Sequence, residues 1–302
     1  MRVHLIDGTY ELFRYHFAVP GHVREKGTKG AATRGVLGSV LGMLEAGATH
    51  IGVATDHVIE SFRNDLYPGY KTGEGIDPDL KEQFPVVEAA LQAMGVVVWP
   101  MVELEADDGL ASAAVVAAED ERVEQVVICT PDKDLGQCVV GDRVVQLDRR
   151  KDVVFDEAGV KEKFGVLPTS IPDYLALVGD SADGFPGLPG WGAKAASCVL
   201  RRYPHIEDIP RLAERWDVDV RGARNLANCL ADRYDDALLF RELATLRIDR
   251  DLLADVDDLR WTGPADPAVF AEVCEHLGAP GLPARVAKLA SKRTAPATPP
   301  EL

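Results

Sequence analysis

Basic residues are in short supply in this chain. Its 302 residues carry 33 Lys and Arg against 49 Asp and Glu, a formal net charge of −16. That balance counts against a broadly positive nucleic-acid-binding face, because affinity for phosphate comes mainly from Lys and Arg. Long apolar runs are missing as well. None approaches the ~20 residues that cross a bilayer, so no membrane partner is expected. The opening Met-Arg-Val-His-Leu-Ile-Asp reads as a charged strand rather than an export signal. Cysteine is sparse, odd in number and without paired metal-ligand spacing: Cys129, Cys138, Cys198, Cys229 and Cys274. Buried, reduced thiols in a cytoplasmic protein are the expectation. The hydrophobic share of 46% suffices for a full core and two subdomains.

What the chain does have is carboxylate, grouped. Asp7, Asp56, Glu105-Ala-Asp107-Asp108, Asp132-Lys-Asp134 and Asp180-Ser-Ala-Asp183 form five short clusters. The first four follow apolar strand-like runs or open a helix. Parallel strands bring their carboxyl ends together, so these acids are predicted to converge and to repel one another unless divalent cations lie between them. Taken singly, each acid reads better as a helix cap or as solvated surface than as a metal ligand. Jointly they point to a magnesium- or manganese-dependent phosphodiester hydrolase, since buried unpaired acids are otherwise costly. Setting aside the nine clustered carboxylates leaves a balance of −7. Any nucleic-acid surface must then be a focused basic path.

Periodicity organises the rest. Strands are predicted at 2–6, 50–55, 96–99, 125–129 and 144–147, and helices at 35–46, 80–94 and 108–119. Strand and helix alternate in the first half, the pattern of a parallel α/β sheet. Beyond about residue 156 strand signals stop and helical segments broken by prolines dominate. The predicted divisions are 1–165, a helical region over 166–288, and a disordered tail over 289–302.

Two cationic groupings accompany the acids. Arg34, Arg63, Tyr70 and Lys71 flank the second acidic position; an arginine can clamp phosphate, a lysine can place charge on it, and the tyrosine can stack on a base. Surface cations beside a half-buried tyrosine would read the same way. Lys133, between two acids, either reaches a phosphate or balances local charge. In Pro189-Gly190-Trp191-Gly192-Ala193-Lys194, a Gly-x-Gly directly before a helix exposes N–H groups suited to a phosphate, and Lys194, Arg201 and Arg202 extend the reach. A Gly-x-Gly alone is often only a tight turn.

Together these residues resemble the 5′ nuclease superfamily: flap endonucleases, bacteriophage 5′ nucleases and the N-terminal nuclease domain of bacterial DNA polymerase I. The resemblance is carried by Leu5-Ile-Asp7-Gly8, Asp56, Ser61-Phe-Arg63, Tyr70-Lys71, Glu105-Ala-Asp-Asp108, Thr130-Pro-Asp-Lys-Asp134-Leu, Gly179-Asp180-Ser-Ala-Asp183 and Pro189-Gly-Trp-Gly-Ala-Lys194, in family order. It implies an α/β class, with a PIN-like parallel-sheet nuclease core and a C-terminal helical, helix–three-turn–helix DNA-binding region. It also implies an arch over about 71–85, two divalent ions, and a potassium ion on hairpin carbonyls. The expected activity is 5′-3′ exonuclease and flap-endonuclease cleavage of branched or 5′-ended DNA by a free-standing monomer. By the same resemblance Asp7, Asp56, Glu105 and Asp107 or Asp108 hold one ion, and Asp132, Asp134, Asp180 and Asp183 the other. Arg34, Arg63, Tyr70 and Lys71 contact the scissile region. Two departures stand out: Gly184, where relatives carry Asn, and Trp191 between the hairpin glycines. The rival expectations are a non-catalytic binder of branched DNA and a PIN-type ribonuclease.

Overall fold

The computed structural model describes residues 1–18 and 30–294. Six strands form one sheet: β1 (Arg2–Asp7), β2 (His50–Asp56), β3 (Val97–Met101), β4 (Gln125–Cys129), β5 (Val144–Asp148) and β6 (Val153–Phe155). Their order is β3-β2-β1-β4-β5-β6, with the first five parallel and β6 antiparallel to β5. β2 is buried along its whole length, as befits a parallel strand covered on both faces. β3 lies slightly later than its predicted 96–99. The short edge strand β6 has no counterpart in the sequence reading, being only three residues long.

Side chains alternate across β1 with the period of two that a strand imposes. Ile6 joins a core on one face with Ile51 and Val53 of β2, α2 (Ala31–Glu45) and α5 (Gln83–Ala93). Val3 and Leu5 join the other face, where α6 (Ala106–Glu119) packs its small residues Ala111, Ala113, Ala114 and Ala117. Between strand and helix, α1 (Gly8–Ala18) leaves β1 without a loop. Gly8 permits this, because a Cβ there would lie 2.7 Å from Val53 Cγ1 of the neighbouring strand.

The predicted helix over 80–94 is divided. Asp77 caps a short α4 (Pro78–Lys81), and α5 begins afresh at Gln83. Within 71–85, where an arch is implied, Leu80 and Phe84 are buried in the first core. The C-terminal part of that stretch is therefore anchored to the sheet domain. After α3 (Phe62–Leu66) and α7 (Glu157–Phe164), a second core gathers α8 (Ile171–Val178), α9 (Ala193–Leu200), α10 (Ala223–Asp232) and α11 (Tyr234–Ala244). Two last helices, α12 (Pro267–His276) and α13 (Leu282–Thr294), return to the first core through Phe270 and Val286. The disordered tail expected from 289 is corrected here: the helix runs to Thr294, since Val286, Leu289 and Ala290 pack on the core. The remainder of that expected tail, 295–302, lies outside the described residues.

Candidate active site

Adjacent parallel strands deliver the first acids. Asp7 ends β1 and Asp56 ends β2, and both carboxyls are buried. Asp7 Oδ1 accepts from Tyr10 N–H at 2.7 Å, capping α1, and Oδ2 accepts from the Thr130 hydroxyl at 2.9 Å. Asp56 Oδ1 accepts from Ala106 N–H at 2.7 Å, a donor that the first turn of α6 leaves unpaired. Capping and clustering thus coexist, because each carboxylate oxygen has acceptor capacity left over. Burial, reinforced by Asp56 and Asp132 against the two hydrogen bonds, pushes the Asp7 carboxyl up to about 7. Asp56 is also raised by burial, with Lys71 acting the other way. Asp107, next along α6, is raised well above the usual carboxylate range by burial and by the charges of Asp132, Asp7 and Asp134. Asp132 itself is exposed and acts on both sets of acids.

A second group lies beside the first. Oxygens of Asp134, Asp180 and Asp183 come within 4.8 Å of one another, and all three residues are buried. Asp134 Oδ1 has no hydrogen-bond partner. Burial and the charges of Asp132, Asp183 and Asp180 hold the Asp134 carboxyl well above its ordinary range. The loop carrying Asp180 closes on itself, with the Asp180 and Phe185 main chains exchanging hydrogen bonds of 2.8 and 3.0 Å. Three buried acids facing one another, one of them with an orphaned oxygen, suit a hard divalent cation.

Two lysines border this group. Lys133 Nζ lies 2.7 Å from Asp180 Oδ2. Lys71 Nζ bridges Glu105 Oε2 at 2.7 Å and Asp183 Oδ1 at 3.1 Å. Burial pulls the Lys71 ammonium down, but Asp183 and Glu105 outweigh it and hold Lys71 firmly charged. Main-chain contact reinforces the bridge, because Lys71 N–H donates to the Asp183 carbonyl at 2.8 Å. Gly184 explains itself here. At φ +87° a Cβ would collide with the Gly69 carbonyl, so an Asn at this position would force the Gly69–Lys71 segment away from the acids.

Three expected site residues sit behind the acids instead of among them. Arg63 is buried and uses all five of its N–H groups inside the protein. Two form a bidentate pair with Asp108 at 2.8 Å each, one reaches Glu105 Oε1 at 3.1 Å, and two reach the Leu243 and Thr245 carbonyls at 2.8 and 3.1 Å. No donor remains for a phosphate, which corrects the expectation that Arg63 clamps the scissile region. Asp108 is corrected likewise. Its oxygens also accept from Glu105 and Arg247 N–H at 2.9 and 2.8 Å, so it is a saturated structural anion. Tyr70 is buried in the second core, with its hydroxyl 3.3 Å from Glu105 Oε2, so its ring offers no face to a base. Glu105 stands between the two environments. Burial raises its carboxyl, but Lys71, Arg63 and Ser61 together hold it below the ordinary value.

The remaining candidates sit on other elements. Arg34, on α2, donates to the Leu277 carbonyl at 2.6 Å. Gly190 (φ +83°) and Gly192 are exposed, and the space in front of Gly192 is open for 4 Å. Lys194 and Arg201 are exposed on or beside α9, while Arg202 pairs with Asp217 at 2.7 Å. Trp191, the departure between the hairpin glycines, is a core residue. It is buried against Trp216, with its indole N–H on the Leu226 carbonyl. Thr9, which belongs to no motif, accepts at its hydroxyl from Asp56 N–H at 2.8 Å. Thr130 and Ser61 lie within motifs, and each orients an acid through its hydroxyl.

Family models described as 5′-3′ exonuclease, N-terminal resolvase-like domain, and 5′-3′ exonuclease, C-terminal SAM fold, match residues 2–165 and 166–267. A 5′-3′ exonuclease of Aquifex aeolicus is 32% identical over 267 residues, covering 87% of this chain and 87% of the relative. DNA polymerase I of Pseudomonas aeruginosa is 32% identical over 277 residues, and that of Bacillus subtilis 33% over 264. The chain spans 29% of the length of each of those polymerases. Among solved structures, zinc-bound T5 5′-exonuclease matches with a TM-score of 0.63 at 17% identity, over 96% of this chain and 100% of that one. The catalytic core of Rad2 in complex with DNA substrate matches with a TM-score of 0.64 at 15% identity, over 95% and 90%. At such identities these two likenesses speak for the fold alone.

Proposed function

The chain belongs to the 5′-3′ exonuclease family, and from that premise we propose that it is a divalent-metal-dependent 5′-3′ exonuclease and structure-specific 5′-flap endonuclease acting on DNA. The meeting of Asp134, Asp180 and Asp183 within 4.8 Å, with one buried oxygen unpartnered, carries this reading. Those three would hold one ion and Asp7, Asp56 and Asp107 a second, with Asp132 between them. Magnesium or manganese suits an all-carboxylate set that retains waters. When bound, the two ions supply an activated water and charge stabilisation of the leaving oxygen, for in-line displacement at phosphorus.

The protein's own groups do the rest. Tyr10 N–H, Thr130, Thr9 and Ala106 N–H fix the strand-end acids, so their oxygens face one cleft without reorganisation. Lys71, held charged between Glu105 and Asp183, places an ammonium where negative charge develops on the transferring phosphate. Arg63 contributes at one remove, bracing Glu105 from behind. The open backbone at Gly190 and Gly192, with Lys194 and Arg201 nearby, suits contact with the duplex sugar-phosphate chain. A potassium ion on the same exposed loop belongs to this proposal, as does monomeric action in the cytoplasm.

A labelled 5′-flap, a nicked duplex and a linear duplex, each with matched RNA-strand versions, test the reading in magnesium and in EDTA. The expected result is cleavage of the DNA forms in magnesium only, abolished by Asp132→Ala. Cleavage that survives EDTA or Asp132→Ala, or a preference for RNA, would sink it.

A further inference from the structure

Most lysines near the acids are spoken for: Lys71 by Glu105 and Asp183, Lys133 by Asp180, Lys151 by Asp148 at 3.4 Å. Lys163 is not. It lies on α7, which follows the antiparallel edge strand β6. No carboxylate pairs with it among the described residues. Its ammonium instead sits 4.5 Å above the Phe155 ring and 4.7 Å above the Phe164 ring. Both rings pack against the second core, and Phe164 meets Tyr174 edge-on at 6.0 Å, so the platform is fixed. Lys151 acts on Lys163 with like charge, while Asp148, its ion-pair partner, and the exposed Asp132 of the acidic cleft act with opposite charge. Partial desolvation over the rings, with that like charge, lowers the pKa of Lys163, although the residue stays exposed. In a chain with 49 acids, a cation that is positioned by two rings, left unpaired and crowded by a second lysine has the features of a site awaiting an anion.

We propose that Lys163 binds a backbone phosphate of the DNA on the β5–β6 side of the acidic cleft. This takes DNA as the substrate, the reading proposed above. A phosphate there would offset the like charge that Lys151 imposes on Lys163, and the aromatic platform spares Lys163 much of the side-chain entropy that an ordinary surface lysine loses on contact. The edge strand β6 thus acquires a purpose: it carries Phe155 and turns the chain into α7, which brings Lys163 to the cleft.

Lys163→Met keeps an apolar stem over both rings while removing the charge, so its thermal midpoint should match the wild type. Binding of a fluorescent 5′-flap is measured in calcium across a range of salt, for the wild type, Lys163→Met, Lys163→Arg and Lys161→Met. Lys161→Met changes net charge equally on the same helix. The expected result for Lys163→Met is binding about fivefold weaker at ~0.1 M salt, with a salt slope shallower by about 0.9. Lys163→Arg should retain both, and Lys161→Met should leave the slope unaltered. An unaltered slope in Lys163→Met with DNA binding intact overturns this inference alone, as does an equal loss in Lys161→Met. Failure of the wild-type chain to bind flap DNA at all overturns the substrate reading, and this inference with it.

Discussion

Asp107 and Asp108 are consecutive acids in the first turn of one helix, and their surroundings are opposite. Asp107 faces Asp132, Asp7 and Asp134, and its carboxyl is pushed well above the ordinary range. Asp108 faces Arg63, with two further main-chain donors on its oxygens. One helical step, about 100°, separates a region where acid meets acid from a region where acid meets cation. A fold accommodates buried carboxylates in two ways: internal pairing, which makes structure, or shared repulsion, which makes a demand for external cations.

Removing the cation behind the acids should hurt most. Arg63→Met leaves Asp108 buried and uncompensated, a loss of about 3–5 kcal/mol of stability. Adding Asp108→Leu should recover most of it in a denaturant titration. A variant that melts like the wild type but fails to bind phosphate would return Arg63 to the substrate side. In front, Asp134→Asn should act in the opposite sense. Metal-dependent flap cleavage should drop by roughly 100- to 1000-fold, yet the metal-free protein should be no less stable, because one repelling charge has gone. Cleavage within tenfold of wild type would remove Asp134 from the metal site.

Between the two regions lies Gly184. Gly184→Asn places a Cβ against the Gly69 carbonyl and should push Lys71 from Asp183, lowering cleavage by about tenfold while metal affinity holds. Undiminished cleavage would mean that the Lys71 bridge is dispensable. The smallest effect should be one of pH. Burial pushes the Asp7 carboxyl up to about 7, so the native metal-free state holds a proton that the unfolded chain releases at the ordinary, lower carboxylate value. The stabilisation from that group is complete below the unfolded value and is lost as pH rises through about 7. Glu105 runs the other way, its contribution present above its ordinary value and lost as pH falls through the depressed one. Metal must displace the Asp7 proton, so apparent magnesium affinity should rise towards about pH 7 with proton release, measurable by calorimetry in two buffers. Affinity independent of pH would separate Asp7 from the metal.

Much of the front region was legible in the chain itself. Apolar runs ending in Asp7 and Asp56 mark strand termini, and parallel pairing brings such termini together whatever the intervening helices do. The back region was not legible. Ser61-Phe-Arg63 looks like a phosphate clamp until the Leu243 and Thr245 carbonyls arrive from 180 and 182 residues away to occupy the guanidinium. Tyr70 looked available for stacking for the same reason, its burial depending on helices over a hundred residues later. Gly184 was visible as a departure, but its cause is the close approach of a segment more than a hundred residues earlier.

By itself, then, the sequence determined the residue types, the strand ends and the order of acids along the chain, because pattern and propensity are local. Only the tertiary structure decided which acids repel and which are paired. Those outcomes depend on the partner within a few ångströms, and here that partner is brought by a different part of the chain.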